Sequence, residues 1–309
     1  MKRLRIMVSV LTVAVLLVGL VSCAKPLPSG SESAPPVIPE LSNEDLLPDL
    51  PIADESDGSW VQYKSVTPEQ LDEYVRHLEG KGFTCRREMY DISLWREDAF
   101  ISISNNTVAY SKFSVKIYRQ RKTENGLSAD EAKAIINDDR VSILIEQSPE
   151  GFCEKTGAQF FLAPMDRSVD KVPDYPENRG MVVKCYLVTP KDSLFINDID
   201  VAPVAADMDD DGIHEIVWIG NGFTSGRFTF SLCVYHVQDG MIQEKAFAYY
   251  ESDAYRMSLR ADGNGQVWLD YRKRTDEQTN STTVTIEDNI VRIDDGEHFE
   301  FLHANKFQR

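Results

Sequence analysis

The sequence predicts an α+β protein: a small helix-plus-antiparallel-meander unit, then a larger β-rich unit of meander or propeller-blade-like character. Three observations carry that prediction. Thr67-Pro68-Glu69-Gln70 is a helix start, with Thr as N-cap, Pro at the first helical place and Gln three residues after the cap. Phe113-Ser114-Val115-Lys116-Ile117-Tyr118 alternates apolar and polar with the period of a half-buried strand. From Met181 onward, runs of β-branched and aromatic residues are separated by Asp239-Gly240, Gly263-Asn264-Gly265, Asp288-Asn289 and Asp295-Gly296, the residues of tight hairpins. A chain of 309 residues with 42% hydrophobic composition can bury a real core in one large or two modest domains.

In chain order, residues 1–22 come first. Lys2, Arg3 and Arg5 precede an uncharged apolar run from Ile6 to Leu20, too short for a comfortable membrane span and laid out as a secretory signal. Leu20-Val21-Ser22-Cys23 resembles the lipobox of bacterial lipoproteins. The resemblance implies cleavage before Cys23, diacylglyceration of its thiol and a palmitate-type anchor on the extracytoplasmic face of the cell membrane. Two or three acyl chains give stable anchoring where one gives only marginal attachment. Residues 23–57 then read as a linker, because Pro26, Pro28, Pro35, Pro36, Pro39, Pro48 and Pro51 fall there among Ser, Gly, Glu and Asp. Such a segment buries too little apolar surface to offset its ordering entropy, and as a coil it spans about 30–35 Å.

Residues 58–122 are expected to form the small unit. Leu71, Tyr74, Val75 and Leu78 recur at helical spacing until Gly80 and Gly82. Strand-like runs follow at about 84–95, Ala99–Ser104 and Phe113–Tyr118. Lys116, Arg119, Arg121 and Lys122 could contact an anionic glycan or wall polymer, but read first as the solvated end of an edge strand, where such charges discourage sheet-to-sheet aggregation. Residues 128–305 are expected to form the β-rich domain. It opens with a second capping box at Ser128-Ala129-Asp130-Glu131 and a helix through Ala132, Ile135 and Ile136. The stretch from Val141 to Pro164 fits strand or buried helix equally, and Pro173–Gly180 reads as a loop. Candidate strands are Met181–Val188, Ile216–Ile219, Phe228–Val237, Ala246–Tyr250, Val267–Tyr271, Thr283–Ile286 and Ile290–Ile293.

Within this domain residues 207–215 read Asp207-Met208-Asp209-Asp210-Asp211-Gly212-Ile213-His214-Glu215, directly before Ile216-Val217-Trp218-Ile219. A hard dication such as Ca²⁺ takes six to eight oxygens, and alternate residues of a tight loop can aim theirs at one centre. Gly212 permits the sharp turn. The candidate metal ligands are the side chains of Asp207, Asp209, Asp211 and Glu215 and the main-chain carbonyl of Ile213. Aspartates this dense repel one another unless a cation neutralises them. An EF-hand fits poorly, since its twelfth place holds Trp218 and a β-run follows. The pattern is similar to the calcium loop of FG-GAP/VCBS-type repeats, which implies a structural Ca²⁺ at the turn into a strand. Asn221–Gly226 would form a flexible tip beside it.

Charge and motif content narrow the function. The net charge of −17 grows more negative by three once Lys2, Arg3 and Arg5 are removed with the signal, which argues against nucleic acid as a partner. The sequence contains no G-x-S-x-G, H-E-x-x-H, Walker or Rossmann pattern in context, and His77, His214, His236, His298 and His303 are scattered. Cys85, Cys153, Cys185 and Cys233 lack zinc or redox spacing, and buried free thiols are favoured over disulfides. The expected function is therefore a non-enzymatic, membrane-anchored lipoprotein presenting a binding or scaffolding module to an envelope protein or glycan. The competing class is a cell-envelope hydrolase or enzyme inhibitor. Its mark would be a concave pocket lined by two converging carboxylates.

Overall fold

The computed structural model describes residues 41–50, 52–56, 60–87, 91–104, 112–121, 123–166, 181–196, 202–224, 227–273 and 278–304. The signal, Cys23, most of the linker, the Pro173–Gly180 loop and Ser225-Gly226 lie outside them. Antiparallel sheet dominates, with few helices. Strands β1 (Ile52–Ser56), β2 (Trp60–Lys64), β3 (Thr84–Arg87), β4 (Asp91–Arg96), β5 (Ala99–Ser104) and β6 (Lys112–Arg119) form one sheet in the order β1-β2-β6-β5-β4-β3.

Helix α1 (Asn43–Leu46) precedes this sheet and α2 (Pro68–Gly80) packs on it. Helix α2 starts where the capping box predicts: the Thr67 side chain accepts from the Gln70 N–H, and the Gln70 side chain accepts from the Thr67 N–H. Its buried stripe, Leu71, Tyr74, Val75 and Leu78, meets Leu94, Ile101, Ile103, Phe113 and Val115 of the sheet. Each such side chain contributes roughly 1.5–3 kcal/mol on burial.

Three expectations for this region need correction. The linker does not extend to residue 57, because Leu46 is fully buried, the Tyr74 hydroxyl donates to its carbonyl at 2.7 Å, and β1 joins the sheet. The sheet has six strands where three were expected, and it is not a separate unit. Phe100, Trp95 and Tyr118 on its second face join a cluster shared with residues beyond 140, and Leu41–Arg309 form one compact body. Strand β6 lies between β2 and β5, so Lys116 and Arg119 are not on an edge strand; Arg121 follows it and Lys122 lies outside the described residues.

Strands β7 (Ile145–Glu146), β8 (Gln159–Asp166), β9 (Met181–Val188) and β10 (Ser193–Ile196) form a second sheet, in the order β10-β9-β8-β7. Helix α3 (Ala129–Ile136) covers one of its faces through Ala132 against Phe161, Ala163, Tyr186 and Val188. The ambiguous stretch after Val141 thus contains β7, the short helix α4 (Phe152–Thr156) and β8.

Two further sheets follow. Strands β11 (Val204–Ala206), β12 (Glu215–Thr224), β13 (Arg227–Gln238) and β14 (Met241–Ser252) run as a meander, extended at the far edge by β19 (Phe299–His303). Strands β15 (Ala254–Ala261), β16 (Val267–Lys273), β17 (Asn280–Glu287) and β18 (Ile290–Ile293) form a second meander. The first of these is buried on both faces. Val217, Ile219, Leu232, Val234, Ala246 and Ala248 face Leu259, Val267, Leu269 and Val284 of the last sheet. Their immediate neighbours Ile216, Trp218, Cys233, Tyr235 and Phe247 face the opposite way, toward Phe160, Leu162, Cys185 and Leu187. That explains the unbroken apolar run Ile216–Ile219, since a strand covered on both sides has no polar face.

Asp239-Gly240 and Asp288-Asn289 turn their hairpins with positive φ at both central residues, the twist that matches paired strands. Asp295-Gly296 does not close a hairpin, because β19 pairs with β14 and not with β18. Cys85 and Cys153 are half-buried, and Cys185 and Cys233 are buried.

Candidate functional site

The acidic stretch is the loop of the β11–β12 hairpin. Ala206 pairs with Glu215, so the eight residues between them project from the rim of the sheet. Asp210 and Gly212 both have positive φ (57° and 85°), which folds the loop back on itself. The loop's own carboxylates organise this turn. One Asp207 oxygen accepts from the Asp211 N–H at 3.1 Å and the other from the Gly212 N–H at 3.0 Å. Asp211 accepts from the Ile213 N–H at 2.8 Å. These are aspartate turns in which the side chain replaces a missing backbone partner.

The neighbouring sheet fixes the loop from outside. A Cβ on Gly265 would stand 2.2 Å from the Asp207 carbonyl oxygen. The β15–β16 turn therefore lies against the loop backbone at a distance only glycine allows. Asp262 shapes that turn by accepting from the Asn264 and Gln266 N–H groups at 2.9 and 3.0 Å.

Of the five expected ligands, Asp207, Asp209 and Glu215 converge, each with a carboxylate oxygen within 4.8 Å of the others. Asp211 is not part of that group, being turned toward Ile213, and Ile213 itself is exposed. Glu215 is fully buried, and its Oε2 accepts from the Met208 N–H at 2.8 Å. His214 is half-buried.

Between two members of the group stands a residue the sequence does not announce. Lys245 Nζ donates to Asp209 Oδ2 at 2.6 Å and to Glu215 Oε1 at 2.7 Å, with Asp211 Oδ2 at 3.8 Å. It arrives there through a β-bulge. Val234 pairs with Ala246 and Tyr235 with Glu244, so Lys245 is an extra residue in β14. Strict alternation would send it to the face opposite Ala246; a bulge re-aims the side chain. Burial alone would lower the pKa of the Lys245 ammonium, but its hydrogen bonds and charge contacts with Asp209 and Glu215 outweigh that and raise it.

The donor chemistry suits a hard dication, but the geometry does not. Calcium sits 2.3–2.6 Å from its oxygens, and the Lys245 nitrogen already lies at nearly that distance from two of the three converging carboxylates. The two cations would occupy the same space, so these residues as arranged do not fit Ca²⁺.

Several ionisable groups elsewhere have partners among the described residues. Lys273 Nζ donates to His298 Nε2 at 2.7 Å, His236 lies 3.4 Å from the Gln243 side-chain oxygen, and His303 packs on the Tyr249 ring. Among the described residues no helix is long and apolar enough to cross a membrane. No protein-family model, curated protein or solved structure matches the chain.

Proposed function

We propose that the chain is a lipid-anchored extracytoplasmic protein whose β-rich body is a non-catalytic binding or scaffolding module for an envelope protein or glycan. One observation carries the reading: the basic start, apolar run and Leu20-Val21-Ser22-Cys23 lie in register as in bacterial lipoproteins. The strong negative charge supports a body that stands off an anionic membrane and away from nucleic acid. The linker from Cys23 to about residue 40 is the tether, and the folded body follows it.

The converging carboxylates of Asp207, Asp209 and Glu215 support structure rather than hydrolysis. Glycosidic acid–base pairs keep one carboxyl free to carry a proton to substrate, whereas Asp209 and Glu215 are both engaged by Lys245.

Two experiments test the reading. Expressed in a bacterium, the wild-type chain is expected in the membrane fraction, and Cys23→Ser is expected in the soluble fraction or as unprocessed precursor. A Cys23→Ser chain that is cleaved and still membrane-retained would contradict the anchor. Purified full-length protein is expected to bind a wall fragment, glycan or envelope protein saturably. Turnover of wall glycan without saturable binding would favour the hydrolase reading.

A further inference from the structure

We infer that Lys245 is the resident cation of the acidic loop: it stands where the loop composition would place a dication, and it pins the fold without calcium. This inference is independent of the proposed membrane anchor and of the identity of any ligand.

The argument begins with which charge needs a partner. Asp209, Asp210 and Asp211 are exposed, and water solvates them. Their proximity is tolerable because the high dielectric outside the sheet weakens repulsion. Glu215 is different. It lies fully buried at the rim of the core formed by Val217, Val234 and Ala246, and a buried carboxylate without compensation is costly. One N–H from Met208 serves one oxygen, and the Lys245 ammonium serves the other. A single positive charge therefore meets the single buried negative one.

Asp207 and Asp211 meanwhile shape the loop backbone, each oxygen so used keeping a further lone pair. Both Asp207 oxygens accept backbone N–H groups, and so does Asp211 Oδ1. Lys245 also does mechanical work that a free ion would share only in part. It ties β14 to β12 across the intervening β13, and it holds Asp209 of the loop at the same time. The bulge that delivers it is built into the backbone register.

The consequence is an exchange rule. The full-length protein, purified in detergent and freed of metal with a chelator, is expected to melt at the same temperature, within about 1 °C, with or without 10 mM CaCl₂. Removing the ammonium with Lys245→Gln is expected to lower the melting temperature in chelator. It should also open the site, so that 10 mM Ca²⁺ raises it by about 3–6 °C for a dissociation constant in the 10⁻⁴–10⁻³ M range. Adding Asp209→Asn to that variant should abolish the gain. Lys245→Arg keeps a charge and is expected to remain indifferent to calcium, which preserves the test should Lys245→Gln fold poorly.

A wild-type protein that gains several degrees from Ca²⁺ would overturn the inference, because the dication would then displace the lysine. A Lys245→Gln variant as stable as wild type in chelator would overturn it as well. So would one that is destabilised yet gains nothing from calcium, since the two cations would then not be equivalent.

Discussion

Two buried glutamates, Glu146 and Glu215, show two ways of keeping a carboxylate inside a β-protein. Glu146 in β7 is 3% exposed and Glu215 at the start of β12 is 0% exposed, so neither relies on water. Glu146 is held by neutral donors: the Thr123 hydroxyl, the Ser148 hydroxyl at 3.1 Å and the Gln159 amide at 2.9 Å. These donors knit the 120–127 connection to the second sheet, together with the Arg121 N–H bond to the Glu146 carbonyl at 3.0 Å. Glu215 has one neutral donor, the Met208 N–H, and one full positive charge. Fixed dipoles cannot be exchanged for anything else without rebuilding the loop. A counter-charge on a side chain is removed by a single substitution, and that difference makes the acidic loop, and not the Glu146 network, the place where losing one residue leaves a buried charge unmatched.

The largest expected effect separates the two sites directly. Glu215→Gln removes the charge that Lys245 was placed to meet and leaves a partly buried ammonium short of its partner, at a cost of about 2–3 kcal/mol. Glu146→Gln keeps a carbonyl oxygen for the three side-chain donors, loses only the long 3.4 Å bond from the Thr123 N–H, and is expected to cost about 1 kcal/mol. Chemical denaturation at neutral pH measures both. Equal losses would remove the distinction between dipole and counter-charge.

A smaller effect appears at alkaline pH. Because the Lys245 pKa is raised above its ordinary 10.5, the unfolded lysine gives up its proton first. The native state then binds more protons, and stability falls as pH rises through the native value. Buried Tyr235 and Tyr250, whose hydroxyl pKa values are pushed up chiefly by burial, shift stability in the same direction. The informative quantity is therefore the difference between wild type and Lys245→Met above about pH 10.5. Wild type should lose more, and parallel curves would mean that Lys245 contributes nothing.

Much of the architecture was legible, for local reasons. The capping boxes at Thr67 and Ser128 carry their own partners three residues away, so both helix starts appear where expected. Asp239-Gly240 and Asp288-Asn289 announce their turns because few other residues accept positive φ at both places. What was not legible depends on where a segment goes. Asp295-Gly296 has hairpin chemistry, yet the strand after it crosses to another sheet. Residues Ile52–Ser56 look like linker because proline and acids surround them, but an edge strand needs only one paired neighbour. The aspartates of the loop were visible as a candidate cation site, whereas the cation was not. Lys245 lies 30 residues beyond Glu215, and a β-bulge decides its direction. The one local sign was the polar run Gln243-Glu244-Lys245, which breaks the alternation just before Ala246.

The most direct measurement is a double-mutant cycle on Lys245→Met and Glu215→Gln, with unfolding free energies determined in chelator at moderate salt. If Lys245 is the counter-ion of the buried glutamate, each single change is costly, the pair costs much less than their sum, and the coupling reaches about 1.5–3 kcal/mol. Additive losses, with coupling below about 0.5 kcal/mol, would show that the ammonium and the carboxylate do not depend on each other and would contradict the account.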